Sequence, residues 1–207
     1  MKSKIRILIV DDHAVVRMGL ASLLGTQDGL EVVGDAEDGD AAVAKALELK
    51  PDVVIMDLMM PKKDGAEATA EIHSALPETK ILILTTFGTS DGIANALNAG
   101  ATGALMKNAP NSQLVEAIRT IAKGGRAVSD EVERLMEEYP PAKALTPRQM
   151  EILESLTRGL TNQDIAKELG IREDRVKDHI NAIFTRLGAA NRTEAVAIAM
   201  RKFILKR

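Results

Sequence analysis

Residues 51–61 read Pro-Asp-Val-Val-Ile-Met-Asp-Leu-Met-Met-Pro. The run Val53–Met56 is apolar and shows no polar alternation, a pattern typical of a strand buried on both faces of a parallel sheet. A single carboxylate, Asp57, follows where the run stops. Because ligands of open α/β sheets bind beyond the carboxyl ends of the strands, Asp57 is a candidate site residue. Taken alone, the stretch is equally compatible with an aspartate that only begins a turn.

Around this strand, apolar runs and helical periodicities alternate along the chain. Strands are predicted at five places, and each is followed by a helix: 5–10, 31–33, 53–56, 80–85 and 102–106. Such alternation indicates a parallel sheet that is covered by helices on both faces. The fifth helix, near 112–122, is stopped by Gly124-Gly125. We therefore predict an α/β domain with a doubly wound, five-stranded parallel sheet over residues 1–123.

The rest of the sequence predicts a different architecture. Residues 124–143 have the character of a linker, with one short amphipathic helix near 129–138 and a stiff Pro140-Pro141 pair. Beyond the linker the pattern is entirely helical, with helices predicted at 147–158, 162–169, 173–187 and 193–206. Residues 144–207 are therefore predicted to form an all-α domain of four helices.

Charge is divided unevenly between the two parts. The 207 residues hold 27 basic and 30 acidic side chains, a formal net charge of −3. Residues 144–207 contain 12 basic and 8 acidic residues, which leaves a net charge of −7 for the first 143 residues. This asymmetry suggests that only the second part meets a polyanion.

Composition also excludes several classes of protein. The absence of cysteine rules out disulfides and thiolate metal sites. No apolar run approaches the ~18 residues of a membrane span, and the N-terminus lacks a signal peptide, so we expect a cytoplasmic protein without a membrane partner. Aromatic residues make up only 2% of the chain, so nucleic acid is not expected to stack on aromatic side chains.

Polar residues end four of the predicted strands: Asp11-Asp12, Asp57, Thr85 and Lys107. In a parallel sheet these ends share one edge, and carboxylates gathered there repel one another unless a cation joins them. Mg²⁺ is such a cation, because it prefers oxygen ligands. The group suits acceptance of a phosphoryl group, with Asp57 as nucleophile, Lys107 as countercharge and Thr85 as hydroxyl donor. Each residue has an ordinary structural explanation, but the occurrence of such residues at four strand ends favours a site.

These residues, with the run from Asp57 to Pro61 and the following Gly65, resemble the receiver domain of two-component response regulators over residues 4–123. The resemblance implies a flavodoxin-like sheet and phosphorylation of Asp57 by a sensor histidine kinase. It also implies Mg²⁺ (or Mn²⁺) held by Asp12, Asp57 and the backbone carbonyl of Met59, with Asp11 acting through water. Receivers catalyse only their own phosphorylation and dephosphorylation, so no further enzymatic activity is expected.

The sequence departs from the receiver pattern at Ala104, where an aromatic residue is usual. The ring normally rotates when the threonine hydroxyl moves toward the phosphate, so this switch cannot operate here in its usual form. Either Phe87 takes the place of the missing ring, or the active state depends on loop movement alone. A second departure is Asn108 after Lys107, where many receivers carry a proline in a cis peptide bond.

The predicted helix 173–187 has two distinct faces. Val176, Ile180, Ile183 and Leu187 recur at helical spacing and form a core-facing stripe. Lys177, Asp178 and Asn181 share one sector on the other side, where they suit contacts with guanine or phosphate, cytosine and adenine. A capped helix and a glycine turn precede it, which is the pattern of a helix-turn-helix. The alternative is an ordinary solvated face of a helical bundle.

Residues 144–202 closely resemble the LuxR-type helix-turn-helix, in the motifs that begin at Leu145, Gly159, Val176, Arg186 and Asn191. Together with the receiver this is the NarL/FixJ class of transcription regulators. The resemblance places Lys177, Asp178 and Asn181 near base edges, and Thr161 and Asn162 at phosphates. Arg175 is an additional candidate for a phosphate contact, and His179 is expected to support the helix rather than touch DNA. The last helix either forms a dimer or covers the core.

The sequence thus predicts a DNA-binding response regulator in which phosphorylation of Asp57 controls dimerisation and transcription-factor activity. The expected partners are a double-stranded DNA operator, a sensor histidine kinase and a second copy of the chain, with RNA polymerase as an open further partner. One alternative is a phosphate-independent regulator that uses the receiver as a dimerisation module. A metal-dependent phosphohydrolase is disfavoured, because its second carboxylate would stand where Met59 is.

Overall fold

The computed structural model describes residues 4–86, 90–138 and 145–201. The chain divides into two compact units, Met1–Tyr139 and Pro140–Arg207. In the first unit, parallel strands and helices alternate, and the second is helical, as predicted. None of the described helices is long and apolar enough to cross a membrane.

The first unit is built on a parallel sheet with the strand order β2-β1-β3-β4-β5-β6. Its described strands are β1 Ile5–Val10, β2 Leu30–Ala36, β3 Val53–Met56, β4 Lys80–Thr85, β5 Gly103–Met106 and β6 Ala127–Val128. The first five are the predicted strands, and they form a doubly wound sheet. All four residues of β3 are buried, which explains the absence of polar alternation in this run.

Helices cover both faces of this sheet. They are α1 Ala14–Gly25, α2 Gly39–Leu49, α3 Gly65–Ala75, α4 Ser90–Asn98, α5 Asn111–Ala122 and α6 Asp130–Glu138. Alternate residues of one strand enter opposite cores: Leu8 packs in the core with α2, α3 and α4, whereas Ile9 packs in the core with α1 and α5. The strand ends are therefore held firmly from both sides.

Residues 127–138, part of the predicted linker, belong to the first unit. β6 pairs with β5, with Val128 beside Ala104, and so covers the edge that a fifth strand would otherwise expose. Val132 of α6 is fully buried in the core beneath α4, and its amide is capped by the Ser129 hydroxyl. The sequence did not predict this strand, because two residues are too short to show a pattern. The domain limits at 123 and 143 stay a prediction.

The second unit contains the four predicted helices: α7 Pro147–Thr157, α8 Asn162–Leu169, α9 Glu173–Leu187 and α10 Arg192–Arg201. Thr146 and Thr161 cap α7 and α8, each through a capping box. Gly170 ends α8 with a left-handed φ of 63°, which glycine adopts at little cost. The predicted extension of the last helix to residue 206 lies outside the described residues.

Candidate functional site

Two aspartates lie side by side at the carboxyl edge of the sheet. Val10 and Met56 are paired in β1 and β3, so the residues that follow them leave the sheet together. The amide of Asp57 donates a hydrogen bond to the Val10 carbonyl at 2.9 Å. Asp11 and Asp57 are both buried. Two carboxylates withdrawn from water in this way require a positive neighbour.

Lys107 supplies that positive charge. Its Nζ atom lies 2.5 Å from Asp11 Oδ2 and 2.8 Å from Asp57 Oδ2. The main chain fixes its place, because the Lys107 amide donates to the Thr85 carbonyl at 2.8 Å. The sequence predicted that these strand-end residues converge, and the structure brings Asp11, Asp57 and Lys107 into contact, with Thr85 joined to Lys107 through the main chain.

Burial raises the pKa of the Asp57 carboxyl, and the nearby charge of Asp11 raises it further, although Lys107 opposes both effects. Burial alone would lower the pKa of Lys107, but its hydrogen bonds and charge attraction with Asp11 and Asp57 prevail and raise it. The lysine is therefore charged at neutral pH. The aspartate resists ionisation, so a further cation beside it would be stabilising.

Thr85 contributes an unusual hydroxyl group. The residue is 1% exposed, and its Oγ1 atom has no hydrogen-bond partner among the described residues. A buried hydroxyl without a partner is unfavourable and marks a place where a polar ligand would be stabilising. It ends β4 beside Met106, the residue before Lys107.

Asp12 and His13 extend the acidic group toward solvent. His13 Nδ1 lies 2.6 Å from Asp12 Oδ1, and the His13 amide donates to Asp11 Oδ1 at 2.9 Å. Asp11, Asp12 and His13 each offer one ligand atom within 4.8 Å of the others, which is close enough to hold a metal ion. The sequence reasoning passed over His13, although its position directly after the aspartate pair was a usable signal.

The loop between β3 and α3, residues 57–64, closes the site from one side. The amide of Met59 hydrogen-bonds the Asp57 side chain and lowers its pKa. At Gly65, a Cβ atom would lie 2.0 Å from the Asp57 carbonyl oxygen, so only glycine permits this close approach. The oxygen donors of this region, mostly carboxylates, fit a hard divalent cation such as Mg²⁺.

Ala104 lies fully buried at the middle of β5, beneath α6. No ring is therefore available at this position to follow Thr85. The suggested substitute, Phe87, lies outside the described residues.

In the second unit, α9 presents the predicted two faces. Its stripe of Val176, Ile180, Ile183 and Leu187 is buried in the helical core. Of the predicted DNA-contacting residues, Lys177, Asp178, Asn181, Arg175 and Thr161 are exposed, whereas Asn162 and His179 are half-buried. The supporting role of His179 stays a prediction.

Charged residues on α9 pair with one another, a feature that the sequence reasoning did not anticipate. Lys177 Nζ lies 3.0 Å from Glu173 Oε1, one helical turn earlier. Arg175 Nη1 lies 3.9 Å from Asp178 Oδ2. The hydrogen bond with Glu173 raises the pKa of Lys177. Spacings of three and four residues would have revealed these pairs.

Two sequence families match the two units. Residues 7–119 match the response regulator receiver domain, and residues 143–199 match the bacterial regulatory proteins of the LuxR family. The sheet with its acidic edge and the helix-turn-helix therefore define a class, the response regulators that bind DNA. The chain belongs to this family, in its NarL/FixJ class, and is a DNA-binding two-component response regulator.

Two curated relatives match the chain over nearly its whole length. The chain is 40% identical to the transcriptional regulatory protein LiaR of Bacillus subtilis over 209 residues, which cover 97% of this chain and 99% of LiaR. It is 38% identical to the response regulator VraR of Staphylococcus aureus (strain NCTC 8325 / PS 47) over 207 residues, covering 98% and 99% of the two chains.

Solved structures show the same likeness. The response regulator ChrA of a heme-sensing two-component system is 39% identical, with a TM-score of 0.59 over 98% of this chain and 100% of that chain. RcsB from Salmonella enterica serovar Typhimurium, bound to a promoter in the presence of phosphomimetic BeF3⁻, is 25% identical. Its TM-score is 0.72 over 96% of this chain and 99% of that chain.

Proposed function

We propose that Asp57 accepts a phosphoryl group from a sensor histidine kinase and that this modification controls DNA binding by the second unit. The observation that carries the proposal is the arrangement around Asp57: a lysine already bound to its carboxylate, and a buried threonine hydroxyl without a described partner. A phosphoryl group offers three acceptor oxygens and negative charge. It would be stabilised by both of these groups.

In the proposed reaction an oxygen of the Asp57 carboxylate attacks the phosphorus of a phosphohistidine. The P–N bond breaks, and the imidazole nitrogen keeps its electron pair and takes a proton from solvent. Lys107 exchanges one carboxylate oxygen for a phosphoryl oxygen, and Thr85 donates its hydroxyl proton to another. Lys107 and Thr85 therefore position the phosphoryl group and stabilise its charge without forming covalent bonds, as phosphoryl transfer requires.

A divalent cation completes the proposed site. Asp12, Asp57 and the Met59 carbonyl would hold Mg²⁺ (or Mn²⁺), with Asp11 binding through water. The ion supplies charge neutralisation for the attacking carboxylate and the phosphoryl oxygens. Beyond this self-phosphorylation and the later hydrolysis of the acyl phosphate, no enzymatic activity is proposed.

For the second unit we propose that α9 enters the major groove of a DNA operator. Lys177, Asp178 and Asn181 would face base edges, while Thr161, Asn162 and Arg175 would lie at phosphates. His179 would support the helix from its flank. Phosphorylation would promote a homodimer that occupies two half-sites about one helical turn apart, with RNA polymerase as a further partner. A DNA partner and a phosphorelay place this activity in the cytoplasm.

A phosphate-independent regulator is the second candidate. One observation favours it: Ala104 is fully buried and leaves no ring to report on Thr85. In that case the receiver would serve only as a dimerisation module, and the acidic edge would have no part in DNA binding.

The deciding experiment is incubation with acetyl phosphate and Mg²⁺, followed by intact-mass spectrometry. We expect one base-labile phosphoryl adduct on the wild type and none on Asp57→Asn, which is nearly isosteric. Asp130→Asn, an exposed substitution in α6, is the matched control and should label like the wild type. An unlabelled wild type that still binds DNA would support the phosphate-independent regulator instead.

A further inference from the structure

The β3–α3 loop is fastened to the start of α2 by an ion pair that the proposed phosphorylation does not use. Lys62 Nζ lies 2.5 Å from Asp38 Oδ2. The other carboxylate oxygen, Oδ1, accepts a hydrogen bond from the Ala41 amide at 2.8 Å. Asp38 is thus both the N-cap of α2 and the partner of the loop. Its side chain is buried, whereas that of Lys62 is largely exposed.

The backbone at Lys62 adopts an uncommon conformation. Its φ is +65°, and Lys50 is the only other non-glycine residue with a positive φ in the part of the chain that the structure describes. Residues with a Cβ atom rarely adopt a positive φ unless contacts nearby stabilise it. The ion pair with Asp38 provides such support, at the point where the loop turns from Pro61 toward α3.

Close backbone packing continues the contact to the next residue. A Cβ atom on Gly39 would lie 2.5 Å from the Lys63 carbonyl oxygen, so the loop rests directly on the first turn of α2. Lys63 Nζ lies 3.0 Å from Asp40 Oδ1 and also binds Glu71. Two consecutive lysines therefore attach the loop to its neighbouring helices.

We propose that Lys62 and Asp38 act as positioning residues, a latch that holds the β3–α3 loop so that the Met59 carbonyl faces the divalent cation. The inference rests on the proposed function of the Asp57 site, to which Met59 is connected through its amide. In this proposal Lys62 affects cation binding only by holding the β3–α3 loop in place. The latch therefore acts on metal affinity and not on the chemistry of phosphoryl transfer.

The sign of the effect separates a latch from simple electrostatics. Removing a positive charge near an acidic cluster would strengthen cation binding, if the charge acted only through space. Loss of a latch has the opposite effect, because the loop must then be ordered each time the cation binds. A weaker metal site in Lys62→Met is therefore diagnostic of positioning.

The test is a titration of the full chain with Mn²⁺, with free Mn²⁺ measured by electron paramagnetic resonance and Mg²⁺ added as competitor. We expect Lys62→Met to raise both dissociation constants roughly three- to tenfold, below the about 10- to 100-fold typical of groups that directly orient metal ligands. Lys62→Arg should retain wild-type affinity. Lys45→Met is the control for the loss of a positive charge. The ammonium group of Lys45 contacts the Asp35 carbonyl and not the loop.

A second variant tests the other half of the latch. Asp38→Asn keeps a good N-cap for α2 but loses the ion pair, so it should also weaken binding. The double variant Asp38→Asn/Lys62→Met should bind no more weakly than the worse single variant, because both remove one contact. Additive losses would mean that the two residues act separately.

Phosphorylation by acetyl phosphate supplies the second readout. In Lys62→Met the half-saturating Mg²⁺ concentration should rise, whereas the rate at saturating Mg²⁺ should stay near that of the wild type. Equal or tighter metal binding by Lys62→Met, or a lower saturated rate with unchanged half-saturation, would overturn the latch alone. A wild type that binds no Mn²⁺ or Mg²⁺ would overturn the proposed cation site and the latch with it.

Discussion

Two lysines in this protein form ion pairs that differ in how deeply they are buried. Lys107 joins Asp11 and Asp57 at the edge of the sheet, where its side chain is only 11% exposed. Lys177 pairs with Glu173 on the surface of α9, where its side chain is 55% exposed. Water can replace either partner of the exposed pair at little cost, whereas nothing replaces Lys107 between two buried carboxylates. Because of this difference in burial, the charge of Lys107 stabilises the folded state, whereas that of Lys177 can leave its partner for another one.

The largest expected effect comes from removing the buried lysine. Lys107→Met leaves two buried carboxylates without a countercharge, and we expect it to lower the free energy of unfolding by roughly 3 kcal/mol in metal-free buffer. Lys177→Met should leave the free energy of unfolding unchanged within the error of the measurement, because its ion pair is exposed to water. Urea denaturation of both variants would check this. Equal losses would contradict the contrast between the two ion pairs.

The exposed lysine should matter for DNA instead. On duplexes that the wild type selects from a random pool, Lys177→Ala is expected to weaken binding roughly 5- to 150-fold, because it removes the proposed base or phosphate contact. Gel-shift titrations at fixed salt would measure the change. Lys123→Ala, which removes an exposed lysine of the first unit, is a suitable control. Undiminished binding by Lys177→Ala would argue against α9 in the groove.

The Asp57 carboxyl itself gives a smaller, pH-dependent effect. Because burial raises its folded-state pKa above the ordinary 3.8, ionisation destabilises the folded protein. This penalty is fully present above the folded-state pKa and disappears below the pKa of the unfolded chain. Asp57→Asn should therefore raise Tm at pH 7 without metal, and the gain should shrink as the pH falls toward 3.8. A gain independent of pH would exclude ionisation as its cause.

The smallest expected effect concerns the partner of Lys177. Glu173→Gln releases the lysine from its ion pair, and we expect it to strengthen binding to random-sequence duplex DNA by about two- to fivefold. The same substitution made beside Lys177→Ala should have a weaker effect. If the two backgrounds respond equally, Glu173 acts by repelling phosphates and not by holding the lysine.

Much of this architecture was readable from the sequence, because local patterns determine local structure. The apolar run Val53–Met56 predicted a buried strand, and the spacing of Val176 and Ile180 predicted the core face of α9. Thr146 and Thr161 marked the starts of two helices through side chains that cap their own neighbours. Asp57 was identified as a candidate because it directly follows a strand. Each of these features depends on residues within a turn or two of one another.

Contacts between residues far apart in the sequence depend on the tertiary structure. Lys107 reaches Asp57 across 50 residues of sequence because β3, β4 and β5 are neighbours in the sheet. β6 and α6, predicted as linker, pack on β5. β6 pairs with the free edge of β5, and α6 buries Val132 in the adjoining core. Lys62 binds Asp38 because two loops approach at a contact that only Gly39 permits. The hydrophobic periodicity of the sequence does not predict such contacts, since their free energy depends on packing and on the exclusion of water.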